Sequence, residues 1–175
     1  MVILGIDPGY AIIGYGLINH KNGKYLYLNH GVVTTNSNEN FINRLEYIYN
    51  KILEILNIYK PESVAIEKLY FQNNQKTAID VAQARGVILL AAKKCNISVF
   101  EYTPLQIKSS ITGYGKALKK QMMLTVQRLL KLNEIPKPDD AADALAVAGC
   151  HANSLGFHYV NNKILSIKNN IISGV

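Results

Sequence analysis

The way the chain opens constrains its fold more than anything later in it. Val2-Ile3-Leu4-Gly5-Ile6 is an apolar run closed by Asp7, and two further strand-like segments follow, 11–19 and Lys24–Thr34. Between them lies His20-Lys21-Asn22-Gly23-Lys24. An Asn-Gly pair between two strands is the strongest short-range signal for a β-hairpin. Three strands, joined antiparallel, therefore come first. The pattern then changes. Phe41, Ile42, Leu45, Ile48, Tyr49, Ile52 and Leu56 recur at helical spacing, and the run stops before Pro61. Ser63–Glu67 reads as strand four, 77–94 as a helix and 97–100 as strand five. An antiparallel start followed by strand–helix alternation implies an α/β fold, one mixed five-stranded sheet with helices on both faces. Helical crossovers should leave strands four and five parallel.

Three more helices are expected, over 104–110, 116–132 and 139–153. Asp139 follows Pro138 and suits the N-cap of the last one. The final stretch, 156–175, is rich in Asn and Ile and reads as a strand-like extension or a mobile tail. The expected organisation is one domain over 1–154 with a C-terminal extension over 155–175. A chain of 175 residues suits one well-buried core better than two.

Composition narrows the class. No apolar run is long enough to span a membrane, and the N-terminus lacks a secretory pattern, so a cytoplasmic protein is expected. Cys95 and Cys150 stand alone and read as reduced, buried thiols. The net charge is +7, and it is unevenly spread. Residues 61–138 carry twelve of the nineteen basic residues against five acids. Such a segment suits an anionic polymer, or else a solvated lysine-rich surface.

Four acids stand where a carboxylate is costly. Asp7 and Glu67 each close an apolar strand, and Asp140 and Asp143 lie three apart at the start of an Ala-rich helix, on one face. Taken singly, a strand-end Asp before Pro-Gly is a turn residue and a helix-start Asp is a cap. Together they form an oxygen-only donor set suited to a hard divalent cation such as Mg²⁺. Two strand ends and a helix converging on a metal pair point to phosphodiester chemistry.

Gly5-Ile6-Asp7-Pro8-Gly9, Ala65-Ile66-Glu67, Gln83-Ala84-Arg85-Gly86 and Asp140-Ala141-Ala142-Asp143-Ala144-Leu145-Ala146 together resemble the RuvC family of crossover (Holliday) junction endonucleases. The resemblance covers about residues 1–152, with the motifs in family order, and stops at the tail. It implies a ribonuclease H-like fold and metal-dependent nicking of two like-polarity strands at a four-way DNA junction, leaving 5′-phosphate and 3′-hydroxyl ends. It implies two Mg²⁺ per active site, with Mn²⁺ able to substitute, held by Asp7, Glu67, Asp140 and Asp143, with Asp7 bridging. It also implies a homodimer with one active site per strand, acting beside the junction-binding and branch-migration motors of recombination and repair.

The same resemblance puts Lys108 and Lys119 against the scissile region and an aromatic at Tyr70 that stacks on DNA. Phe71 follows it, and either ring could stack. Lys116 and Lys120 also flank the Gly113-Tyr114-Gly115 loop and are candidates for phosphate contacts. Ala78, Ala82 and Gly86 recur every four residues on the second helix, which the family uses for dimerisation. The stripe could equally pack on the protein's own sheet. His151 and Cys150 have no partners in sequence for a metal site, and His151 reads as a satisfied histidine at a helix C-terminus.

Three other functions fit parts of the pattern. A ribonuclease H acting on RNA–DNA hybrids would use similar carboxylates without a dimer. An ATPase of the actin–sugar-kinase type also opens with strand, Asp and Gly-rich hairpin, but needs two lobes. A junction-binding protein without catalysis would not need all four acids.

Overall fold

The computed structural model describes residues 1–69 and 75–172, with the backbone alone for 75–77 and 157–172. Its elements are β1 (Val2–Asp7), β2 (Ile12–Lys21), β3 (Lys24–Thr34), α1 (Phe41–Tyr59), β4 (Ser63–Glu67), α2 (Gln75–Lys94), β5 (Ser98–Tyr102), α3 (Pro104–Thr112), α4 (Lys119–Leu129) and α5 (Asp139–Ile172). The sheet order is β3-β2-β1-β4-β5. β1–β2 and β2–β3 are antiparallel, whereas β1–β4 and β4–β5 are parallel. The hairpin closes on Asn22 and Gly23, both at positive φ, as its tight turn requires. β3 forms one edge and β5 the other, and the register of β3 against β2 shifts between Leu17 and Ile18.

Period-two alternation in β1 and β4 divides the core. Leu4, Ile6, Val64 and Ile66 face one side, where they pack with Ile48, Ile52 and Leu56 of α1 and Ala84, Ile88 and Ala91 of α2. Ile3 and Ala65 face the other side and pack with α3, α4 and α5. The mixed sheet with helices on both faces is thus as expected. By the same alternation Asp7 and Glu67 belong to the α5 side.

α5 lies unusually close to the sheet because neither surface has bulk. Its Ala141, Ala142, Ala144, Ala146 and Ala148 are fully buried. Opposite them are Gly5, Gly14 and Gly16. A Cβ on Gly5 would lie 2.1 Å from the Ala144 carbonyl oxygen, and one on Gly14 2.0 Å from that of Asp140. Gly14 is also the β2 partner of Asp7. The sequence of glycines therefore sets Asp140 down over the end of β1.

Helix boundaries differ from expectation by a few residues, and three of the differences have a clear cause. α4 starts at Lys119 and not at 116, because a turn from Tyr114 to Ala117 and an extended Leu118 come first. Asp139 is not the N-cap of α5. The Pro138 carbonyl accepts the first helical bonds, from Ala141 and Ala142, and Asp139 sits inside the first turn. Finally, 156–172 is helical and not strand-like, since α5 runs unbroken to Ile172. Phe157, Val160, Ile164, Ile167 and Ile171 recur at three- and four-residue intervals, a helical signal that the asparagines obscure.

Candidate active site

β1 and β4 run parallel with Ile6 beside Ile66, so Asp7 and Glu67 leave neighbouring strands at the same end. α5 begins above them and brings Asp140 and Asp143. The four acids act on one another. Asp7 is pushed up to about 7, first by burial and then by the charges of Glu67, Asp143 and Asp140. Glu67 is also raised to about 7, first by burial and then by Asp143, with Lys108 and Lys119 opposing. Asp143 is raised by burial, against the pull of its hydrogen bond to Lys119. Two carboxylates held near neutrality in this way are usual where a site is shaped for a charged ligand.

The predicted acids are therefore neighbours. They do not form a finished cage: no three His, Cys, Asp or Glu side chains among the described residues stand close enough to hold a metal ion as they are. Lys119 serves as a counter-ion. Its Nζ lies 3.0 Å from Asp143 Oδ2 and 3.4 Å from Asp139 Oδ2. Asp143 Oδ1, however, is buried with no hydrogen-bond partner. An orphaned carboxylate oxygen beside two raised acids fits a hard cation, so the donor set suits Mg²⁺ or Mn²⁺.

Of the candidate lysines, Lys108 and Lys119 meet the acids. A pocket of about 220 Å³ is lined by Glu67, Pro104, Ile107, Lys108, Lys119, Met122 and Asp143. Lys116 is elsewhere. It lines a larger cleft, about 1060 Å³, on the opposite flank of α3, with Tyr102, Leu105, Ser109, Tyr114 and Asn153 among its walls and no acid. The groups there are engaged with each other: Tyr102 Oη with His151 and Ser154, and Asn153 Nδ2 with Ser110. Lys120 is exposed in the first turn of α4. Tyr70 and Phe71 lie outside the described residues.

On α2, Ala82 and Gly86 are exposed, and a Cβ on Gly86 would meet nothing within 4 Å. Ile79 and Leu90, on the same face, are 67% and 50% exposed. These residues do not pack on their own sheet; Ala84, Ile88 and Ala91 do that. Ala78 is half-buried. His151 is not at a helix C-terminus but mid-helix and buried. Its Nδ1 is 2.7 Å from Tyr102 Oη, its Nε2 has no partner, and burial lowers it to about 4.

Several contacts around the site have no clear sequence signal. Glu101 pairs with both Arg85 of α2 and Lys68, the residue after Glu67. Arg44 stacks 3.7 Å from the centre of the Tyr10 ring and donates to Thr35, which in turn donates to the Tyr10 carbonyl. That clamp fixes the loop that follows Asp7. Only the pairing of distant segments by the fold brings these groups together.

A five-stranded sheet in this order, with two acids at adjacent strand ends and two more on the covering helix, defines a ribonuclease H-like nuclease. The family described as crossover junction endodeoxyribonuclease RuvC matches residues 3–151. The RuvC of Fusobacterium nucleatum is 57% identical over 156 residues, covering 89% of this chain and 82% of the relative. That of Halothermothrix orenii is 52% identical over 154 residues, covering 88% and 93%. Thermus thermophilus RuvC in complex with Holliday junction substrate superposes with a TM-score of 0.85 at 37% identity, covering 89% of this chain and 94% of that one. The chain belongs to the RuvC family of crossover junction endodeoxyribonucleases.

Proposed function

We propose that this chain resolves four-way DNA junctions in recombination and repair, nicking two strands of like polarity to leave 5′-phosphate and 3′-hydroxyl ends. The observation that carries the reading is the clustered set Asp7, Glu67, Asp140 and Asp143, of which Asp7, Glu67 and Asp143 are raised by burial and by neighbouring carboxylates, facing a lysine pair. Kinship with enzymes named for junction cleavage supports the substrate.

Asp7, Glu67, Asp140 and Asp143 would hold two Mg²⁺ ions, and Mn²⁺ would serve as well. When bound, such a pair activates water and stabilises charge on the attacking and leaving oxygens. The protein must first release protons. With Asp7 and Glu67 near 7, both are partly protonated at neutral pH, and ionising them prepares the site for cations. Lys108 and Lys119 then offset the phosphate's charge from the pocket wall. The exposed apolar face of α2 supports a homodimer, which gives one site per strand. Cooperation with junction-binding motor proteins in the cytoplasm completes the proposal.

A synthetic four-way junction with labelled strands tests it. Symmetric nicks should form with Mg²⁺ and vanish in chelator. Cutting an RNA–DNA hybrid faster than the junction would replace the reading with that of a ribonuclease H. Binding without nicks in any divalent ion would leave a junction-binding protein.

A further inference from the structure

α5 opens with three acids, and they have different neighbours. Asp140 and Asp143 share the face above Asp7. Asp139 and Asp143, four apart, share the face turned to the start of α4. Asp143 belongs to both. Its Oδ2 accepts from Lys119, while its Oδ1 is buried and unpartnered. Asp139 is different. It is not among the charges that act on Asp7 or Glu67, and among the described residues its one ion pair is with Lys119. It is also not the helix cap, since the Pro138 carbonyl fills that place.

Lys119 needs such a partner. It is the first residue of α4, where the exposed N–H groups of a helix disfavour a cation. Its side chain is half-exposed and free to leave for water. While Asp143 carries its full charge toward Lys119, the ammonium is held. A divalent cation on Asp143 would draw that charge away and repel the ammonium. Asp139, one helical turn back, acts on Asp143 but is not among the charges on Asp7 or Glu67, and it still attracts the ammonium.

We propose that Asp139 is a positioning residue that keeps the Lys119 ammonium at the rim of the acidic pocket when Asp143 turns to a divalent cation. The inference rests on the metal-nuclease reading above. Asp139 thereby holds a positive group near the site at the stage when a phosphate must be bound, without competing for the metal. Its side chain is 60% exposed, so replacing it leaves the core untouched.

Reductive methylation of the DNA-free protein tests this, with mass spectrometry comparing Lys119 with the exposed Lys120. Mn²⁺ binding is followed in parallel by its paramagnetic resonance signal. In wild type, Lys119 should react several-fold more slowly than Lys120, both in chelator and with Mn²⁺ bound. In Asp139→Asn it should stay protected in chelator and become as reactive as Lys120 once Mn²⁺ is bound. Junction cleavage in a single turnover should fall several-fold in Asp139→Asn, yet fall no further when the change is added to Lys119→Ala. Protection that survives Mn²⁺ in Asp139→Asn, protection lost in wild type, or equal rate losses in both backgrounds overturns the assignment. A wild type that binds no Mn²⁺ overturns the metal reading itself, and this inference with it.

Discussion

At the scale of single residues, the acids dominate through what burial, and then each other's charge, costs them. Asp7 moves from 3.8 to about 7, which corresponds to ~4 kcal/mol of preference for its protonated form. The native state therefore binds more protons than the unfolded chain between these values. By linkage, the contribution is fully present below about pH 4 and is lost as pH rises to about 7. The metal-free protein should lose stability across that window, as chemical denaturation in chelator at several pH values would reveal. Asp7→Asn should remove Asp7's share of this slope, leaving that of Glu67, and raise stability above pH 7 by a few kcal/mol, while lowering cleavage by orders of magnitude. A metal-free Asp7→Asn protein no more stable than wild type at pH 8 would mean that a charged Asp7 costs the fold nothing, by burial or by repulsion. Divalent binding should follow the opposite course, weakening as pH falls below about 7, because protons compete for Asp7 and Glu67.

At the scale of elements, α5 lies where the sheet has no side chains. Gly5→Ala would put a methyl group 2.1 Å from the Ala144 carbonyl and 2.6 Å from the Ala148 nitrogen. It should cost ~1–3 kcal/mol or more and lift Asp140 and Asp143 from Asp7, so metal affinity should fall beyond the loss of stability. Gly86→Ala, with open space around it, should be harmless to the fold. The outward face of α2 is the place to test assembly. Ala82→Arg should give a folded monomer by sedimentation, since a charged side chain in a close interface adds clash and desolvation. An unchanged dimer would move the interface off α2. Much of this was legible in the sequence. Alternation and the Asn22-Gly23 turn gave the sheet, and the order of motifs gave all four acids. What was not legible depends on distant segments meeting. Asp139 reads as a cap until α4 brings Lys119 beside it. Composition and spacing alone do not part Lys116 from Lys119; the resemblance does, and α3 then separates them in space. Of the two readings of the α2 stripe, burial removes packing on its own sheet for Ala82 and Gly86.

For the whole molecule, charge and shape act together. The net charge is +7, with the excess between Pro61 and Pro138. Log affinity for junction DNA should fall steeply and linearly with log salt. Lys116→Ala and Lys120→Ala should each reduce that slope by about one if they contact phosphate. Lys119→Ala should instead lower turnover more than binding, because its ammonium stands at the acids. Identical effects from all three would reduce Lys119 to general surface charge.

The register shift in the outer strand bears on how copies of this molecule can meet. β3 is eleven residues long, with Leu26 and Leu28 exposed, and a straight edge of that length invites strand-to-strand stacking without end. The slip beside Leu17 bends the edge and breaks its hydrogen-bonding rhythm, and Lys24 adds a charge at its start. Open-ended polymerisation along this edge is discouraged, so contact between copies is more readily closed and finite.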